Sequence, residues 1–185
     1  MRLVEGVLRS RLALETPLMK NATDLYWLAY LLTGREEISI DIVADTAASD
    51  PEEKPFFAGW MEAWARRIVI AKALAAIREE LTESRRRMEH ARADRSPLPR
   101  NWSLSPNASK AQIEKALLAI DVFPRAAVVL SVFERVHLPD AATLLDADAN
   151  LVSKAQAIGL RQFAANLAGR DERPAAGFFP SPALA

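Results

Sequence analysis

Residues 94–109 divide this chain. They hold Pro97, Pro99 and Pro106 among several Ser and Asn residues, and they separate two long stretches in which apolar residues recur at steps of three and four. No run of useful length alternates apolar with polar residues, so the predicted fold class is all-α. The division predicts two small helical domains, 1–95 and 110–170. A proline-rich linker over 96–109 joins them, and a loose tail over 171–185 follows, with three prolines and the pair Phe178-Phe179. Half of the 185 residues are hydrophobic, enough to build a core.

Leu25, Leu28, Ala29, Leu31 and Leu32 lie at helical spacing, and Gly34 is the expected residue just past that helix. A short second helix is predicted over about 36–48, broken by Ser49-Asp50-Pro51. A long helix follows from about Phe56 to about Arg92, with Trp60, Trp64, Ile68, Ala71 and Ala75 marking one apolar face. Beyond Arg78 polarity rises, and that part reads as a solvated extension. Further on, Ser109 is the predicted N-cap of a helix, and Pro124 opens another as its first residue. Pro139-Asp140 begins a third, Asp146 to Asn150 forms a turn, and a last helix runs from about 150 to Ala168. Two helices across so short a turn suit a helix-turn-helix, although pattern alone favours an ordinary hairpin.

The absences narrow the chemistry. The chain has no cysteine, and its two histidines, His90 and His137, are far apart, so neither a thiolate site nor a His-rich metal site is expected. Glu134-Arg135-Val136-His137 matches Glu-x-x-His once, where a bundle metal site needs it twice. The six glycines are isolated, and no phosphate loop is present. No enzymatic activity, cofactor or metal is predicted. No stretch of about 18 apolar residues suggests a membrane span. Met1-Arg2-Leu3-Val4-Glu5 does not begin a secretory signal, so a cytoplasmic location is expected.

Net charge is zero but unevenly spread. Residues 1–60 carry 6 basic and 10 acidic residues, 61–110 carry 11 and 6, and 111–185 carry 7 and 8. A nucleic-acid reader usually carries its basic excess on the reading domain. Here the excess lies in the middle of the chain.

The segments Leu25–Gly34, Asp41–Asp45, Trp64–Arg78, Ala116–Leu118, Arg125–Glu134 and Asp140–Leu145, in that order, resemble the extracytoplasmic-function (ECF) sigma factor family, as in a degenerate member. Leu25-Tyr26-Trp27-Leu28-Ala29-Tyr30-Leu31-Leu32-Thr33-Gly34 is similar to the first core helix of its region 2, and Asp41-Ile42-Val43-Ala44-Asp45 to the acidic segment after it. Trp64-Ala65-Arg66-Arg67-Ile68 through Leu74-Ala75-Ala76-Ile77-Arg78 resembles the promoter-melting helix. Ala116-Leu117-Leu118, Arg125-Ala126-Ala127-Val128-Val129-Leu130 and Phe133-Glu134 resemble the opening of region 4. Asp140-Ala141-Ala142-Thr143-Leu144-Leu145 is similar to the first helix of its helix-turn-helix. The order holds over most of residues 20–168.

The resemblance implies a sigma-like transcription initiation factor that binds RNA polymerase core and promoter DNA. It implies Asp41 and Asp45 as polymerase contacts. Arg66, Arg67, Lys72 and Arg78 become candidate phosphate contacts, and Asn150, Ser153, Lys154, Gln156 and Arg161 candidate DNA contacts on a recognition helix. The same basic residues also fit a solvated face, and Asp41 and Asp45 ordinary helix-surface carboxylates. An anti-sigma protein or a second copy of the chain completes the partners implied.

The departures from the family pattern point elsewhere. The polar pairs usual on the promoter-melting helix are replaced by Ile70-Ala71 and Ala75-Ala76. Ser49-Asp50-Pro51-Glu52-Glu53-Lys54-Pro55 stands where an aromatic-rich stretch is usual. The recognition run has only Lys154 and Arg161 as basic residues, Ile158 where a basic residue is usual, and Gln156 where an apolar one is. Asp140, Asp146 and Asp148 flank the turn and would repel a phosphate backbone. Apolar replacements make a surface that can bury against protein, with Trp27, Trp102, Phe178 and Phe179 as further anchors. The alternative reading is a sigma-derived protein that has lost promoter reading and acts through protein contacts.

Overall fold

The computed structural model describes residues 21–48, 58–90 and 108–168. The break at 49–57, the linker up to residue 107, Trp102, the tail with Phe178 and Phe179, and the side chain of Trp60 lie outside the described residues. Among the described residues every regular element is helical. None of these helices is long and apolar enough to cross a membrane.

α1 spans Ala22–Thr33 and α2 spans Glu36–Ala48. Gly34, at φ 70°, turns the chain between them, and its N–H reaches Tyr30 O at 2.8 Å. A buried polar corner fixes the angle. Thr33 Oγ1 donates to Ala29 O (2.9 Å) and lies 2.9 Å from Ser39 Oγ. Both side chains are buried, and each has a partner, as buried hydroxyls require.

α3 spans Ala58–Ala76 and α4 spans Arg78–His90, joined through Ile77 with the ladder continuing across the join. The buried stripe is Ala65, Val69, Ala73 and Ile77. The predicted face is corrected: Ala71 and Ala75 are exposed, and Trp64 and Ile68 are half-buried. The solvated extension is corrected as well. Leu81, Ser84 and Met88 are buried, because α4 lies against the second half of the chain.

α5 spans Lys110–Leu118, and Ser109 caps it in a capping box with Gln112. α6 spans Val122–Val128 and runs on into one π turn, Val129–Phe133. Pro124 is the third residue of α6 rather than its first, since Asp121 is the cap. The three first-turn positions are all accounted for. Val122 N donates to Asp121 Oδ1 (2.9 Å), Phe123 N donates to Ser84 Oγ (2.9 Å), and Pro124 has no N–H. An α4 side chain thus helps start a helix of the other half.

α7 spans Leu138–Leu144 and α8 spans Ala149–Ala168. Asp146 takes φ 48° in the turn between them, and Asp148 Oδ1 accepts from Leu151 N at 2.9 Å to begin α8. α8 packs closely on α6. A Cβ on Gly159 would lie 2.7 Å from both Pro124 O and Val128 Cγ2, so no larger residue fits at that crossing.

The residues predicted as two domains share one hydrophobic core. It runs from Leu28, Leu32 and Val69 to Leu117, Phe123, Val128 and Val152. Arg125 crosses between the halves in the interior. Its guanidinium donates to Leu32 O of α1 (3.2 Å), to Leu118 O at the end of α5 and to Ile120 O just beyond it (both 3.4 Å), at 6% exposure. These carbonyls belong to the ends of α1 and α5, where the helix dipole is negative. Lys110 of α5 lies over the ring of Trp27 of α1, 4.7 Å from its centroid, so Trp27 serves a contact within the molecule.

Candidate functional site

The predicted contact residues fall on three stretches of helix. Arg66, Arg67, Lys72 and Arg78 lie along α3 and the start of α4. Asn150, Ser153, Lys154, Gln156 and Arg161 lie along α8. Asp41 and Asp45 are exposed on α2.

Arg66 points across to the second half. Its Nε lies 2.9 Å from Glu134 Oε2 and its terminal nitrogen 2.5 Å from Oε1, a bidentate pair. The Glu134 hydrogen bonds and charge hold Arg66 above its ordinary value, against the opposing effect of burial. Lys72 pairs with Asp45 at 3.9 Å, a long contact between partly solvated groups. This joins a predicted phosphate contact to a predicted polymerase contact. Arg67 and Arg78 are exposed and make no ion pair among the described residues.

On α8, Asn150 and Ser153 are exposed in the first turns and Gln156 is half-buried. Lys154 turns back toward α4, its Nζ donating to Met88 O at 2.8 Å. There it caps the C-terminal end of α4, where a cation is favoured. Arg161 folds along its own helix, with Nε donating to Ala157 O at 3.2 Å.

Sequence reasoning missed three arginine contacts. Arg85 donates to the Asp146 carbonyl and pairs with its carboxylate at 3.1 Å. Arg87 pairs with Asp121 at 3.0 Å. Arg125 is the interior link described above. The pairs Arg66–Glu134, Arg85–Asp146 and Arg87–Asp121 share one polarity: the cation stands on α3 or α4 and the anion in the second half. The basic excess of 61–110 was the available signal. The partners lie 34 to 68 residues away, so spacing alone could not name them.

Glu134 also closes a distorted stretch. It ends the π turn, Arg135 follows at φ 55°, and Val136 N returns to Leu130 O at 2.9 Å. π turns often accompany functional surfaces. Among the described residues no three His, Asp or Glu side chains gather as metal ligands.

No family model, no curated protein and no solved structure matches the chain.

Proposed function

We propose that this protein is a sigma-derived, protein-binding factor that engages RNA polymerase core and has lost promoter reading. One observation carries the reading: Arg66 and Lys154, a candidate phosphate contact from each half, both end on partners in the opposite half. A residue held on a carboxylate or a helix end must give up that partner before it can neutralise a phosphate. Lys154 and Arg161 are the basic residues of α8, so at most two counterions are released there. That corresponds to a salt slope of about −2. Asp41 and Asp45, both exposed on α2, are the polymerase contacts that the resemblance implies.

A second reading is a working sigma-like initiation factor. The four-residue turn Leu145–Asp148 before α8, with Asn150 and Ser153 exposed, favours it. Both side chains can address base edges.

The test is titration of the full chain against core RNA polymerase at two salt concentrations, with a mixed pool of promoter-like DNA. Polymerase binding without DNA retention is expected. DNA retention that weakens steeply with salt would reinstate the second reading, and the absence of polymerase binding would overturn the first.

A further inference from the structure

Two concavities meet on the face between α3 and α7. One, of about 650 Å³, runs past Ala63, Arg67 and Ile70 of α3 and the distorted stretch Glu134–His137. The other, of about 440 Å³, runs past Ala71, Leu74, Ala75 and Arg78 toward Leu81. Thr143 and Leu144 of α7 line both, so together they form one trough. Alanine, leucine and isoleucine side chains lie along it between the charged ones, and it is partly open. Leu144 is 41% exposed, whereas every other described leucine is buried or half-buried.

The rim is charged and unbalanced. Arg66, Arg67, Arg78, Arg85 and Arg135 line the trough against Glu134, Asp140 and Asp146. Glu134 is engaged by Arg66 and Asp146 by Arg85. That leaves Arg67, Arg78 and Arg135 facing Asp140, an excess of two positive charges. A nucleic-acid strand would satisfy the rim but would leave the alanines and Leu144 against sugar and phosphate. A segment with apolar side chains on one face and carboxylates along its edges satisfies both.

We propose that this trough is a docking groove for an acidic amphipathic helix of a partner protein. Leu144 and the exposed Ala71 and Ala75 receive its apolar face, and Arg67 and Arg78 meet its carboxylates. Exposed alanines let a helix backbone approach closely, and Leu144 supplies an apolar anchor. The proposal rests on the protein-contact reading above. Its test contains no polymerase, so the two can fail separately.

The probes are two fluorescein-labelled helical peptides with the same leucine face, one edged with glutamate and the other with lysine. They are titrated by anisotropy against the full chain. The glutamate peptide is expected to bind at least about tenfold more tightly, with the difference shrinking as salt rises. Leu144→Asp weakens it by about tenfold, and Arg67→Glu with Arg78→Glu inverts the preference. Arg86→Glu, on an exposed side chain outside the trough, leaves binding unchanged. Circular dichroism checks that each variant stays folded. Equal affinity for the two peptides, no binding of either, or no effect of Leu144→Asp overturns the proposal. So does displacement of the peptide by a single-stranded oligonucleotide, which assigns the trough to nucleic acid. A dimer of the chain that Leu144→Asp dissolves assigns it instead to a second copy.

Discussion

Arg66 grips both carboxylate oxygens of Glu134 across 68 residues of sequence, and it does so where Glu134 is 10% exposed and Arg66 32% exposed. The geometry is fork on fork, the arrangement in which Arg outperforms Lys. Removing one partner of a fully buried pair costs about 3–5 kcal/mol. Solvent reaches Arg66, so Arg66→Ala is expected to cost about 1–2 kcal/mol in urea unfolding. Arg66→Lys should recover less than half of that. In the double-mutant cycle with Glu134→Ala, the paired variant should lose less than the sum of the single losses. Additive losses would mean that the two side chains do not support each other.

The same pair shows why the site was only partly legible in the sequence. Signals that act within one turn of chain were readable: Gly34 after α1 and Ser109 as the cap of α5. Signals that depend on the packing partner were not. On α3, alanines stand on both the buried and the exposed side, so Ala71 and Ala75 looked as suited to the interior as Ala65 and Ala73. On α4 the buried stripe has Ser84 at its centre, and a serine interrupts an apolar pattern. It belongs there because its hydroxyl accepts from Phe123 N, a group that sequence alone could not bring to it. The basic middle of the chain fitted either phosphate contacts or a solvated face. In the folded molecule Arg66, Arg85 and Arg87 meet carboxylates of the second half instead.

Arg125 gives the next expectation. Burial lowers its pKa, with Asp121 opposing, and its guanidinium satisfies carbonyls from two helix ends. Arg125→Ala removes the stem packing and strands Leu32 O and Ile120 O, so a loss of about 3–5 kcal/mol is expected. Arg125→Met keeps much of the stem volume and removes a desolvated charge. Its loss should be smaller, about 1–2 kcal/mol. Urea unfolding of the two variants decides. Equal losses would put the whole effect on the hydrogen bonds and none on packing.

Asp121 sets the acid limit of this junction. Burial pushes its carboxyl up, but hydrogen bonds from Arg87, Ser84 and the Val122 N–H, with the charge of Arg87, together bring it below its ordinary 3.8. Ser84 therefore works in two directions, accepting from Phe123 N and holding Asp121. A carboxyl whose folded pKa is depressed binds its proton more readily in the unfolded chain. Its contribution is fully present above the unfolded value, about 3.9, and is lost as pH falls through the folded one. Unfolding free energy should therefore decline on acidification below about pH 4 with a slope that Asp121→Asn reduces. Asp121→Asn keeps an oxygen for the Val122 N–H, so its loss at neutral pH reports the charge and not the cap. Urea midpoints measured from neutral to acid pH check this. An unchanged acid slope in Asp121→Asn would show that Asp121 does not carry the acid sensitivity of this junction.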